Sequence, residues 1–121
     1  MKLSVGTDII EISRIKHLID TTNFIERMYT NKEIEYCESK KEQKYQSYAA
    51  RFAAKEAIYK ALSDIIPSNY TWKDFEILNS VNGKPEVCLH LDIKNLDNIE
   101  ISISHCKEYA VAYVTAILEE K

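Results

Sequence analysis

Three residues carry the chemical interest of this sequence: Asp8, Glu56 and Lys60. Asp8 is a carboxylate inside the apolar run VGTDII (5–10). A buried, unpaired carboxylate is costly, so Asp8 calls for a cation or strong donors. Glu56 and Lys60 stand one turn apart in RFAAKEAIYK (51–60). On a helix they lie about 40° apart, so their side chains can meet. As an exposed pair they add only about 0.3–0.5 kcal/mol. Beside Asp8 they read differently. Mg²⁺ takes one or two protein carboxylates and fills its other positions with water and substrate phosphate. Asp8 and Glu56 would supply the carboxylates, and Lys60 a point charge for a phosphate oxygen. The plainer alternative for Asp8 is a cap on the helix that follows it.

Two further places invite a similar weighing. His105 closes the segment IEISIS, with Ser102 and Ser104 ahead of it on one face. A histidine at a strand end can donate to an anion, and it can equally be a turn residue. NGKP (82–85) reads first as a hairpin turn.

The elements that must position these groups are legible from periodicity. KLSVGTDII alternates and then turns apolar, as a partly buried strand does. The segment after it spaces Ile12, Ile15, Leu18 and Ile19 as a helix face. A short helix is expected over Phe24 to Tyr29. A second opens at Asn31 as N-cap, with Glu33 and Glu35 in its first turn. The longest helix runs from about Lys44 to Asp64. Its Ala50, Ala53, Ala54, Ala57 and Ala61 fall on one stripe that permits close approach to a neighbour. Lys55, Glu56, Tyr59 and Lys60 are expected away from that stripe, and Pro67 ends the region. DFEILNSV and PEVCLHL flank NGKP as a hairpin. Ile99, Ile101 and Ile103 alternate, and AVAYVTAIL, apolar on both faces, reads as a central strand. This order is α+β: a single domain over 1–121 in which the long alanine-rich helix packs on an antiparallel β meander.

Composition narrows the function. The chain has 121 residues, 45% of them hydrophobic, enough for one real core. The net charge of −3 argues against nucleic acid. Residues 40–60 nevertheless hold six basic side chains against two acids. A basic face on an acidic protein suits an anionic ligand or an acidic partner. Cys37, Cys88 and Cys106 form no close pair, which points to a reducing compartment. No signal peptide or membrane-spanning run is visible, so a cytoplasmic protein is expected.

Taken in order, VGTDIIEISR (5–14), RFAAKEAIYKA (51–61), NGKP (82–85) and SISHCKEYAVA (102–112) resemble the bacterial holo-[acyl carrier protein] synthases. These are the small 4′-phosphopantetheinyl transferases, and the resemblance covers nearly the whole chain. It implies a fold of that family and a Mg²⁺-dependent reaction. A serine of apo acyl carrier protein attacks the β-phosphorus of coenzyme A. The phosphopantetheine arm moves to the serine and adenosine 3′,5′-bisphosphate leaves, serving fatty acid biosynthesis.

The resemblance assigns the metal to Asp8 and Glu56, and catalysis to these two with Lys60. Arg51, Lys55, Lys60, Ser104 and His105 become candidates for the phosphates, and Asn82, Gly83, Lys84 and Pro85 for the adenine. Arg14, matching the arginine of a G-x-D-x-x-x-x-x-R pattern, would dock an acidic carrier helix, with Lys16 and Arg27 extending the patch. A homotrimer with sites at subunit interfaces is also implied. One departure stands out. Relatives carry a glycine-rich loop after the long helix, whereas residues 63–71 here contain no glycine. Ser63, Ser68 or Asn69 would have to donate in its place. A non-catalytic module binding coenzyme A or a carrier protein is the alternative function.

Overall fold

The computed structural model describes residues 1–119. Strand β1 (Lys2–Glu11) runs directly into helix α1 (Ile12–Thr21). Helices α2 (Phe24–Met28) and α3 (Asn31–Ser39) follow, and then the long helix α4 (Lys44–Leu62). The hairpin β2 (Phe75–Asn79) and β3 (Pro85–Leu89) precedes β4 (Leu96–His105) and β5 (Tyr109–Leu118).

The expected meander divides into two sheets. β2 and β3 pair with each other alone, while β4, β5 and β1 form an antiparallel sheet with β5 at its centre. The N-terminal strand thereby returns beside the last one. Periodicity within a segment contains no information about that pairing.

α4 lies across the buried face of the larger sheet, against β1 and β5. Ala110, Ala112, Val114 and Ala116 meet it from β5, and Ala53, Ala54, Ala57 and Ala61 answer from the helix. Small residues on both sides let the backbones approach closely. The closest approach is at Gly6, where an added Cβ would stand 2.0 Å from the Ala57 carbonyl oxygen and 2.8 Å from the Ala61 nitrogen. Both obstacles are backbone, so no side chain can move aside. A Gly6→Ala substitution is therefore expected to cost about 1–3 kcal/mol or more, because β1 must lift off α4. Urea denaturation of the variant measures this, and a midpoint equal to the parent's would contradict such close contact.

The other face of that sheet is open. Leu3, Val5 and Ile9 of β1 and Tyr109, Val111 and Tyr113 of β5 are exposed side by side. The apolar character of β5 on both faces thus has two destinations, the core within the chain and an uncovered surface.

Local signals decide the smaller features. Thr30, rather than Asn31, caps α3: its hydroxyl accepts from the Glu33 amide while the Glu33 carboxylate accepts from the Thr30 amide. This reciprocal arrangement satisfies two amides that the first turn would otherwise leave open. In the β2–β3 hairpin the Ser80 amide donates to the Lys84 carbonyl, closing the three-residue loop 81–83. Gly83 takes a φ of +87° there, which a glycine adopts without steric cost.

Candidate active site

Asp8 sits within β1, directly opposite Ala112 of β5. It does not cap α1. The residue flanking that helix is Glu11, which makes no side-chain cap bond. The β1–α4 contact instead brings Asp8 up to the long helix. Lys60 reaches across, donating to the Thr7 carbonyl at 2.9 Å and to Asp8 Oδ1 at 3.2 Å. The expected Glu56–Lys60 pairing along the helix is replaced by this cross-element ion pair. The strand offers Lys60 a backbone carbonyl and a carboxylate oxygen at once.

Asp8 and Glu56 line one cleft of about 270 Å³, together with Arg14, Ile15, Leu18 and Phe52. Burial raises the Glu56 carboxyl above its ordinary range, the charge of Asp8 adds to this, and Lys60 partly offsets it. Two neighbouring carboxylates beside a half-exposed ammonium form a donor set suited to a hard divalent cation. Oxygen-only donors around an open cleft fit Mg²⁺, which keeps water and substrate oxygens in its shell.

A second cleft of about 160 Å³ gathers Arg51, Tyr36, Ser47, Asn79, Pro85 and His105. The Arg51 guanidinium lies 4.2 Å from the Tyr36 ring centroid and donates through Nη2 to Asn79 Oδ1. Its Nε is buried without a hydrogen-bond partner. Such an orphaned donor is uncommon in a folded protein, and here it belongs to a cation lining a cleft. A planar guanidinium is well shaped for a phosphate. Asn79 and Tyr36, which orient Arg51, were not singled out from the sequence. Their contact depends on β2 lying beside α4 and α3, and no local pattern marks them.

The remaining candidates separate. Lys55 is fully buried and corrects the expectation that it faces a ligand. Its Nζ donates to Glu33 Oε1 at 2.9 Å, to the Trp72 carbonyl at 3.0 Å and to the Phe75 carbonyl at 2.7 Å. The helix face away from the alanine stripe is covered at this level by α3 and β2, so the ammonium points into protein. All three of its donors are engaged internally.

Asn82 accepts from Ser80 within its own turn, and Lys84 lies 3.8 Å from Glu100 at the edge of a different cleft. Ser104 is exposed on β4, opposite Val111. On α1, Arg14 joins the Asp8 cleft, while Lys16 pairs with Asp20 at 2.7 Å. Arg27 stands exposed in the last turn of α2. In the glycine-free loop the Ile65 and Ile66 amides both return to the Leu62 carbonyl, and Ser63 donates to Lys60. Ser68 and Asn69 remain exposed.

A carboxylate pair with an adjacent lysine, and a separate arginine–histidine cleft, are the equipment of a group-transfer enzyme that handles phosphates. The chain belongs to the 4′-phosphopantetheinyl transferase superfamily, whose family model matches residues 4–114. A holo-[acyl-carrier-protein] synthase of Ruminiclostridium cellulolyticum is 48% identical, covering 98% of this chain and 94% of that protein. Among solved structures, a holo-(acyl-carrier-protein) synthase from Bacillus anthracis in complex with CoA (3′,5′-ADP) is 35% identical. It superposes with a TM-score of 0.82 over 96% of each chain. A Helicobacter pylori holo-[acyl-carrier-protein] synthase in complex with coenzyme A is 31% identical, with a TM-score of 0.77 over 95% of this chain and 99% of that one. No helix among the described residues is long and apolar enough to cross a membrane.

Proposed function

We propose that this chain, as one transferase domain over 1–121, moves the 4′-phosphopantetheine arm of coenzyme A to a serine of apo acyl carrier protein. The product is holo carrier for fatty acid synthesis, and the enzyme works in the cytoplasm. The observation that carries this reading is the shared cleft of Asp8 and Glu56, with Lys60 held against Asp8, in a member of this family.

Asp8 and Glu56 would hold Mg²⁺, which supplies charge neutralisation to the diphosphate. Lys60, half exposed beside them, offsets negative charge developing on the leaving phosphate. Glu56, which lines the cleft beside Asp8, or a water that it orients, would accept the serine proton. Arg51 and His105 bind the remaining phosphate from their own cleft, and the hairpin 82–85 borders the adenine.

The two clefts share no lining residue within one chain. A trimer formed through the exposed face of Leu3, Val5, Ile9, Tyr109, Val111 and Tyr113 would bring the cleft of one subunit to that of its neighbour. Two inactive variants, Glu56→Gln and His105→Ala, are then expected to regain activity when co-refolded, because hybrid trimers contain some intact sites.

Intact-mass spectrometry of apo acyl carrier protein with this protein, coenzyme A and Mg²⁺ tests the reaction. A gain of one phosphopantetheine arm, lost with chelator, is expected. Tight coenzyme A binding without any gain would favour the non-catalytic module instead.

Arg14 lies on the rim of the carboxylate cleft, exposed on α1, where an acidic carrier would approach. Arg14→Ala is expected to raise KM for the carrier about tenfold, by loss of roughly 1.4 kcal/mol of electrostatic binding. The KM for coenzyme A should stay within twofold. Steady-state kinetics with each substrate varied in turn separates the two effects.

A further inference from the structure

A second constellation of metal-binding side chains lies on the β2–β3 hairpin, on elements that carry neither Asp8 nor Glu56. Glu76 and Cys88 are cross-strand partners, and His90 follows Cys88 by two residues. The His90 amide donates to the Asp74 carbonyl at 2.9 Å, so the ladder continues and His90 keeps to the same face. One oxygen of the Glu76 carboxylate, one nitrogen of His90 and the Cys88 sulfur lie within 4.8 Å of one another.

We propose that Glu76, Cys88 and His90 form a binding site for a borderline-soft divalent ion, Zn²⁺. Thiolate, imidazole and carboxylate are the three ligand types zinc prefers, and a tetrahedral ion holds neighbouring ligand atoms about 3.3–3.6 Å apart. His90 Nε2 and Glu76 Oε1 stand 2.8 Å apart and would open by about half an ångström to admit it. His90 is half exposed and can swing on its side-chain torsions, while Glu76 is nearly buried and fixed.

The fixing comes from outside the trio. Glu76 Oε2 accepts from the Thr30 hydroxyl at the start of α3, so the ligating carboxylate is oriented by a hydrogen-bonded neighbour, as is usual in metal sites. On binding, the Cys88 thiol loses its proton to solvent and His90 offers the lone pair of an unprotonated nitrogen. Three protein ligands leave a fourth position for water on the exposed His90 side. The ion would clip β2 to the end of β3, at the point where Glu76 already holds the hairpin to Thr30.

Co²⁺, added to chelator-treated full-length protein under a phosphine reductant, is the direct probe. One equivalent is expected to give a near-ultraviolet thiolate-to-cobalt charge-transfer band, displaced by one equivalent of Zn²⁺. Cys88→Ser should abolish the band, and His90→Gln should weaken Co²⁺ binding at least tenfold. Cys106→Ser, which removes the exposed thiol beside His105, should keep the band. Zn²⁺ should also raise the melting temperature of the parent more than that of Cys88→Ser. Cobalt binding without a thiolate band, as oxygen ligands alone would give, overturns the site. So does a band that survives Cys88→Ser or disappears in Cys106→Ser.

Discussion

Glu56→Gln is expected to lower the rate of phosphopantetheine transfer about 10²–10⁴-fold, the range associated with losing a positioned base. The fold should survive and even gain. Burial and the neighbouring Asp8 raise the folded-state pKa of Glu56 above its unfolded value. A group shifted that way contributes stability below its unfolded pKa and loses it as pH rises through its folded pKa. At neutral pH the ionised Glu56 therefore costs stability in the metal-free protein, and the amide removes that cost. Metal-free Glu56→Gln should melt at or above the parent at pH 7, with the difference shrinking as pH falls below the ordinary carboxylate range. Mg²⁺ should raise the melting temperature of the parent more than that of the variant. Parent activity should decline at acid pH as protons compete with Mg²⁺ for the Asp8 and Glu56 carboxylates. Thermal melts with and without Mg²⁺, beside a pH–rate profile, check all three. A variant that transfers at the parental rate would remove Glu56 from the mechanism.

The largest stability effect is expected at Lys55, its sequence neighbour. Lys55→Met removes the ammonium that three acceptors surround, and it strands the Glu33 carboxylate in the interior. Breaking a buried pair from one side costs about 3–5 kcal/mol, because the remaining charge is left uncompensated. Burial already pulls the Lys55 pKa below its ordinary value, and Glu33 is the chief opposing influence. Glu33 also accepts from the Ile77 amide at 3.0 Å and from the Thr30 amide, so the damage would spread to β2 and to the cap of α3. The double variant Lys55→Met/Glu33→Gln should recover part of the loss, since no charge is then buried alone. Urea midpoints of the parent, both single variants and the double variant complete the cycle. A loss in the double variant equal to the sum of the two single losses would show that the pair is not coupled.

These neighbours in sequence, Lys55 and Glu56, mark the division between what the chain states and what the fold decides. Periodicity located β1 and the long helix with its alanine face, turn chemistry located the hairpin at Asn82–Gly83, and an unbroken apolar run located the central β5. Each of those signals is local, a matter of residue type and spacing within one segment. Asp8 was legible because a carboxylate in an apolar run must be compensated somewhere. The ordered motifs together placed the chain in its family.

Tertiary structure decided the rest. That Lys60 pairs with Asp8 rather than Glu56 depends on β1 lying against α4. That Lys55 points inward depends on α3 and β2 covering a helix face that spacing alone would leave in water. The Arg51–Tyr36–Asn79 arrangement joins segments far apart in sequence, and the Glu76–Cys88–His90 trio depends on the register in which β2 pairs with β3. Side-chain period records which face of an element is apolar, but not which partner covers it. Only packing brings distant polar groups within bonding distance, and it does so because buried charges must find one another or remain uncompensated.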